Sequence, residues 1–166
     1  MGDVLREEVE KGDSPWEADI RVNMAAGKTG SPEMTVPMLQ KAIERKCEEE
    51  EKVGEEKRKM VLLVDGCPRS IDRISLFEET SGPPSLVLSL ECALHIARER
   101  LRTRSQHCSR IDDGAETVQN RFDQYFLTTK PVIAHYQMLG LVAEIDAGRS
   151  VEAVHADIWE VVRRIL

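Results

Sequence analysis

The sequence lacks the features of a membrane-spanning or disulfide-stabilised protein. No apolar run among the 166 residues approaches the length of a membrane span, and the N-terminus has no hydrophobic stretch typical of a signal peptide. The cysteines are scattered without a C-x-x-C pair, at Cys47, Cys67, Cys92 and Cys108. This spacing argues against a zinc or disulfide framework and favours a reducing compartment, so we expect a cytoplasmic protein.

Positive charge is also scarce. The chain has 23 Lys and Arg residues against 30 Asp and Glu residues, a formal net charge of −7. Nucleic acids and anionic membranes are bound by extended basic surfaces, so the sequence predicts neither as a partner, although a local basic pocket is compatible with this balance. There is no G-x-S-x-G motif, and His107 and Cys108 have no neighbours with metal-ligand spacing.

The hydrophobic pattern predicts helices in the first third of the chain. A first helix is expected to end at Gly12, and Ser14–Glu17 reads as a capping box that opens a second helix. A third helix is expected to begin at Pro32. It leads into the almost wholly charged run Glu44–Lys59, which we interpret as a solvated helix end and loop.

Apolar runs that are typical of buried strands follow. They lie at Val61–Val64, Leu86–Leu90 and Leu141–Ile145. Long helical stretches separate them, with a break expected near Pro131, and Ser150 is placed to cap a last helix. Strands that alternate with helices predict an α/β protein with a parallel sheet.

The first of these predicted strands runs into residues suited to phosphate and magnesium. It ends in Asp65 and Gly66, and ligands of open α/β sheets lie beyond the carboxyl ends of strands. Asp65 suits a magnesium ion, held directly or through water, and Arg69 offers a bidentate fork to phosphate. The alternative is an ordinary turn that carries a surface arginine.

A second group of basic residues lies on one predicted helix. Arg100 and Arg104 are one helical turn apart and therefore share a face, and Arg98 and Arg102 lie on the same helix. Like charges at this spacing mildly destabilise a helix, and a bound anion would relieve the repulsion. The alternative is a solvated face.

Together these segments resemble the adenylate kinase and UMP/CMP kinase family. Val61–Arg69 resembles its apolar strand followed by an aspartate-glycine and a proline-arginine pair, and Arg110–Asp113 resembles its R-x-D-D lid motif. Thr129–Tyr136 resembles its helix with the motif T-x-P-[VI]-I-x-x-Y, and Gly2–Arg6 and Met24–Lys28 resemble parts of its monophosphate-binding helices. The segments follow one another in the family's order over nearly the whole chain.

The resemblance implies a P-loop-NTPase-like α/β fold, a parallel sheet flanked by helices. It implies a monophosphate-binding helical region and charged loop at 1–59 and a core α/β region at 60–166, with a short lid at 105–113. The implied activity is transfer of the ATP γ-phosphoryl group to AMP or a related monophosphate with Mg²⁺ as cofactor. The partners would be those two nucleotides, and the complete protein is expected to be a monomer.

The resemblance also implies roles for individual residues. The acceptor monophosphate would be bound at Arg6, Gly66, Arg69 and Arg73. Arg100 would lie on the adenine of ATP, and Asp65 would hold magnesium, through water. The transferred phosphoryl group would be enclosed by Arg104, Arg110 and Arg121, and the closed lid would be held by Asp112 and Asp113. Phosphoryl transfer mainly needs alignment and charge neutralisation, which arginines and magnesium supply.

The sequence departs from the family in ways that affect these expectations. The 166 residues contain no G-x-x-x-x-G-K loop followed by serine or threonine, and the family's first, central strand is missing with it. We therefore expect a cleft between the strands at Val61 and Leu86, or strands closed directly against each other. Arg73 stands where adenylate kinases have a glutamine that reads adenine, the Thr29–Ser31 link is one residue longer than usual, and Cys67 replaces an aromatic residue. The alternative function is a truncated, inactive nucleotide-binding or interaction module, and a third interpretation is a fragment that folds only with a partner supplying the strand.

Overall fold

The computed structural model describes residues 1–53, 61–107 and 115–166. A 3₁₀ turn at Ile71–Arg73 precedes α4, and a π-helical turn at Tyr125–Thr129 joins α6 to α7. The regular elements, in chain order, are α1 (Gly2–Lys11), α2 (Glu17–Ala25), α3 (Pro32–Val53), α4 (Ile74–Ser81), β1 (Val87–Glu91), α5 (Leu94–His107), α6 (Ala115–Gln124), α7 (Lys130–Met138), β2 (Val142–Asp146) and α8 (Val151–Val162).

The first three helices share a hydrophobic cluster. Ile20 of α2 and Met34 of α3 are fully buried, and apolar side chains of α1 pack against them. The predicted end of the first helix is confirmed, because Gly12 caps α1 in the left-handed conformation with φ 71°. The predicted start of the third helix at Pro32 is confirmed as well.

The sheet is small and parallel, as the alternation of strands and helices predicts. β1 and β2 pair in parallel, with Val87 opposite Val142 and Leu90 opposite Ile145. A second hydrophobic cluster, centred on Ile74, Val132 and Tyr136, packs against this sheet. The helix before each strand, α4 before β1 and α7 before β2, therefore packs against the paired strands.

The prediction of a strand at Val61–Val64 is wrong. This segment lies outside the regular secondary structure of the described chain, and Leu63 is 87% exposed. A strand needs a neighbour for its backbone N–H and C=O groups, and β1 has β2 as its only hydrogen-bonded neighbour among the described residues. An apolar run that finds no partner remains extended chain without a ladder.

One local prediction is corrected by the structure. Ser14 does not form the expected capping box: its Oγ accepts from the backbone N of Trp16 at 3.2 Å, and α2 begins only at Glu17. The break expected near Pro131 takes the form of the π-helical turn at Tyr125–Thr129, after which α7 begins with Pro131 in its first turn, where a missing N–H is tolerated. The predicted cap of the last helix is confirmed, since Ser150 Oγ accepts from Ala153 N at 3.3 Å.

The architecture is a mostly helical chain around a small parallel sheet, in agreement with the predicted α/β class. The division into regions 1–59 and 60–166 stays a prediction. Of the predicted lid at 105–113, residues 108–113 lie outside the described residues. None of the described helices is both long and apolar enough to cross a bilayer.

Candidate phosphate-binding site

The turn after Asp65 folds an arginine back over its own backbone. Gly66 has φ +73°, and a Cβ atom there would lie 2.8 Å from Nη2 of Arg69. Because Gly66 has no side chain, Arg69 Nε can donate to the Gly66 carbonyl at 2.9 Å. Thr129 Oγ1 donates to the Arg69 carbonyl at 3.4 Å, which ties this turn to the π-helical turn before α7.

Arginines from five segments line one cavity of about 240 Å³. They come from α1, the turn after Asp65, the 3₁₀ turn, α5 and α6, and are Arg6, Arg69, Arg73, Arg104 and Arg121. Asp65 lines the same cavity. Several cations beside a single carboxylate create a positive potential, which favours a ligand with more than one negative charge.

A neighbouring cavity of about 280 Å³ shares part of this wall. Arg69 and Arg121 line both cavities, as do Gly27, Thr29 and Gly66. The residues that line this second cavity alone are Pro68, Gln124, Tyr125, Thr128 and Thr129. Arg69 and Arg121 therefore stand at the junction, within reach of groups bound on either side.

Arg121 is positioned by contacts that sequence reasoning missed. Thr117 Oγ1 donates to the Ala25 carbonyl at 2.7 Å, and Asn120 Nδ2 donates to the Ala26 carbonyl at 3.2 Å. Gly27 allows this approach, because a Cβ atom at its φ of +66° would lie 2.8 Å from the Thr117 carbonyl oxygen. The two hydrogen bonds join residues that are 92 and 94 positions apart in the sequence, so no local pattern predicts them.

Arg6 enters the cavity from α1 with a local counter-ion. Its guanidinium pairs with the carboxylate of Asp3, whose side chain is 88% exposed. An exposed pair of this kind is weak, since both charges remain hydrated. A phosphate in the cavity would replace Asp3 as the partner of Arg6 at small cost.

The arginines of α5 separate into different environments. Arg104 lines the cavity, whereas Arg100 donates to the carbonyls of Ala147 and Arg149 in the loop after β2, at 2.6 and 3.0 Å. Arg98 and Arg102 bond instead to polar side chains, Gln119 and Glu99. The helical turn that separates Arg100 from Arg104 therefore does not bring both into the cavity.

Cys67 contributes a half-buried thiol to the cavity wall. Burial raises the pKa of this thiol, while the positive charges of the amino terminus, Arg73 and Arg69 oppose the rise. A thiol with a raised pKa has a smaller thiolate fraction near neutral pH, and the thiolate is the reactive form.

Of the remaining predicted site residues, the lid residues Arg110, Asp112 and Asp113 lie outside the described residues. The described residues contain no group of three or more metal-ligating side chains, so Asp65 is a single carboxylate at the cavity. One carboxylate fits magnesium, which commonly keeps several waters and takes its other ligands from substrate phosphates.

Five arginines and one carboxylate line the cavity, and this lining suits a phosphorylated ligand. The family model of adenylate kinase matches residues 1–141. The chain belongs to the adenylate kinase family, whose members are phosphotransferases acting on nucleotides and generally use ATP with Mg²⁺.

Relatives from distant eukaryotes agree with this assignment. The chain is 33% identical to a UMP-CMP kinase of Lentinula edodes, over 99% of this chain and 73% of the relative. It is 32% identical to a UMP-CMP kinase of Danio rerio, over 98% of this chain and 82% of the relative. It is 30% identical to adenylate kinase isoenzyme 1 of Homo sapiens, over 95% of this chain and 76% of the relative.

Proposed function

We propose that this chain binds a nucleoside monophosphate in the arginine-lined cavity and serves transfer of the ATP γ-phosphoryl group to it. The observation that carries the proposal is the convergence of arginines from α1, α5, α6 and the turn after Asp65 on one cavity. The relatives of this chain are kinases of the same family. A cavity lined by several arginines suits a dianionic monophosphate, because a guanidinium forms charge-assisted hydrogen bonds to phosphate. The acceptor is AMP or a related monophosphate.

The proposed roles follow the position of each residue. Arg6 and Arg69, with the backbone at Gly66, bind the acceptor phosphate. Arg104 and Arg121, together with Arg110 of the lid, neutralise the transferred group, and Asp112 and Asp113 hold the lid closed. Arg69 and Arg121 line both cavities, which suits groups that must contact donor and acceptor phosphates. Such preorganised positive charge lowers the barrier of phosphoryl transfer and costs no rearrangement during the reaction.

ATP and magnesium complete the proposed site. Arg100 is assigned to the adenine of ATP, and the loop after β2, to which it donates two hydrogen bonds, would be the neighbouring wall. Asp65 would hold Mg²⁺ through water, and the ion would neutralise charge on the substrate phosphates. The complete protein is proposed to act as a cytoplasmic monomer.

The second candidate function is a nucleotide-binding or interaction module without catalysis. The observation in its favour is that the 166 residues contain no G-x-x-x-x-G-K loop, whose backbone donors and lysine contact the transferred group. The kinase and a nucleotide-binding module both require the monophosphate site and differ in whether phosphoryl transfer occurs, whereas an interaction module requires neither.

Binding of a monophosphate tests the shared part of the proposal. We expect Arg69→Ala to weaken binding of nucleoside monophosphates by about 10- to 100-fold, because a charge-assisted hydrogen bond is worth roughly 1.5–3 kcal/mol. Arg69→Lys should restore little of this, because an ammonium group lacks the planar fork. The measurement is microscale thermophoresis at dilute protein.

The matched control is Arg102→Ala, which removes an exposed arginine paired with Glu99 outside the cavity. It should bind as the wild type does. Equal binding by the wild type, Arg69→Ala and Arg102→Ala would show that the cavity does not hold the phosphate.

Turnover separates the two candidates. A polypeptide of residues 1–166 alone should form ADP at a negligible rate in a coupled assay, because removing one preorganised donor commonly costs roughly 10²–10³ in rate and the phosphate loop supplies several. ADP formation at ordinary kinase rates that Arg110→Ala abolishes would contradict this expectation. A longer polypeptide that carries the loop should be active and should depend on Arg69, Arg104, Arg110 and Arg121.

A further inference from the structure

The end of α2 is completed by side chains of α6. An α-helix leaves its last carbonyls without a partner inside the helix. The chain after α2 supplies backbone donors to three of them, in hydrogen bonds from Ala26, Gly27 and Lys28 to the carbonyls of Val22, Met24 and Asn23 respectively. The next two carbonyls, of Ala25 and Ala26, accept from Thr117 Oγ1 at 2.7 Å and from Asn120 Nδ2 at 3.2 Å. These two side chains of α6 therefore act as a C-terminal cap for α2.

The same face of α6 carries Arg121 over the turn that ends α2. A Cβ atom at Gly27 would lie 2.8 Å from the Thr117 carbonyl oxygen and 3.1 Å from Cγ of Arg121. The aliphatic part of the Arg121 side chain thus passes close over the Gly27 backbone. Thr117 and Arg121 are four residues apart and share a face of the helix. The cap and the course of this arginine are therefore set by one contact between α2 and α6.

Neither capping side chain is placed to touch a ligand itself. Thr117 is 8% exposed, and its hydroxyl is used by the Ala25 carbonyl. Thr117 and Asn120 line neither of the two cavities, whereas Arg121 lines both. Any effect of the two capping residues on a bound phosphate must therefore pass through a group that they hold in place.

We propose that Thr117 and Asn120 are positioning residues that set the affinity for the acceptor monophosphate through Arg121. A guanidinium binds phosphate with two parallel hydrogen bonds only when its plane is correctly placed and oriented. Loss of a capping donor would let α6 move relative to the end of α2 and would displace the guanidinium. This inference rests on the proposed function, because it concerns binding of the acceptor phosphate in the arginine-lined cavity.

Single variants test whether the cap matters for binding. Thr117→Val keeps the branched shape and loses the donor, so residues 1–166 should bind AMP and UMP about three- to tenfold more weakly. Thr117→Ser keeps the hydroxyl and should bind within about twofold of the wild type. Asn120→Leu removes the other donor from a less buried position and should weaken binding to a similar extent. Binding is measured by microscale thermophoresis at dilute protein.

A double-mutant cycle tests whether the effect passes through Arg121. Arg121→Ala alone should weaken binding by about tenfold through loss of its charge-assisted hydrogen bonds. When Arg121 is already alanine, adding Thr117→Val or Asn120→Leu should change binding by less than about twofold, because the group they position is gone. A role limited to holding the fold together would weaken binding equally in both backgrounds.

Gln119→Ala is the matched control on the same helix. Gln119 is exposed and bonds to Arg98 and Asp123, away from the end of α2. This variant should bind both nucleotides as the wild type does. Urea denaturation of each variant shows whether it is folded, and Asn120→Leu with its double mutant decides the matter if Thr117→Val fails to fold.

The outcomes distinguish this inference from the proposed function. Unchanged binding in Thr117→Val and Asn120→Leu, or an equal loss with and without Arg121, would overturn the positioning role while leaving the monophosphate site standing. Failure of the wild type to bind either nucleotide would overturn the monophosphate site and this inference with it.

Discussion

At the scale of single residues, the reactivity of the Cys67 thiol depends on its burial and on nearby positive charge. Burial raises the pKa of its thiol, and the positive charges of the amino terminus, Arg73 and Arg69 lower it by less. The reactive species is the thiolate, so we expect alkylation of Cys67 near neutral pH to be slower than that of a free cysteine peptide. Its pH profile should have a midpoint above the ordinary thiol value.

The measurement is the rate of iodoacetamide modification by mass spectrometry, in a variant with serine at positions 47, 92 and 108. Arg73→Gln should slow the reaction further, because removing a nearby positive charge raises the pKa of Cys67. Saturating UMP should protect the thiol by covering it. Modification as fast as that of the peptide at neutral pH would show that the thiol is not shielded and that its pKa is not raised.

At the scale of elements, Tyr136 joins α7 to α4. Its side chain is buried, and its hydroxyl donates to Glu78 Oε1 at 3.1 Å. Tyr136→Phe should lower the free energy of unfolding by about 1 kcal/mol through loss of this hydrogen bond, and Tyr136→Ala by roughly 3–5 kcal/mol through loss of packing as well. Urea denaturation at dilute protein measures both.

Phe126, an aromatic residue on the surface, provides a matched control for this prediction. Phe126 is 52% exposed in the π-helical turn, so Phe126→Leu should change the free energy of unfolding by less than about 0.5 kcal/mol. A cost for Tyr136→Phe no greater than that of the control would show that the link to Glu78 does not hold the two helices together.

At the scale of the whole molecule, the sheet has an open side. Among the described residues β1 is paired with β2 alone, and the apolar segment Val61–Val64 stays outside the sheet with Leu63 87% exposed. Unpaired strand edges beside exposed apolar residues favour pairing with another chain. We therefore expect a polypeptide of residues 1–166 to associate as its concentration rises, and to be prone to aggregation.

Sedimentation velocity over a concentration series tests this. Leu90→Lys should reduce association, because charge on an exposed strand edge opposes pairing. Leu127→Lys is the control, since Leu127 is 70% exposed in the π-helical turn and lies on no strand. A monomer at all concentrations, with one cooperative unfolding transition, would mean that the sheet edge is covered in some other way.

Much of the local structure follows from the sequence because its causes are local. Gly12 ends α1 since glycine adopts the left-handed conformation without strain, and Ser150 begins α8 by accepting from a backbone N–H three residues on. The turn at Gly66 and Arg69 is similarly short-range, with donor and acceptor three residues apart. The family motifs in the sequence also indicate a phosphate ligand.

The sequence by itself determined the end of α1, the starts of α3 and α8, the two paired strands, the parallel α/β class and the residue types that line the arginine-rich cavity. Tertiary structure decided which arginines meet. Arg104 reaches the cavity and Arg100 the loop after β2, although one helical turn separates them. It also decided that Val61–Val64 forms no strand, and that Arg73 contacts Gly30 across 43 residues. The reason is physical: strand pairing and converging charges depend on groups far apart in the chain, and no local pattern specifies which of them come together.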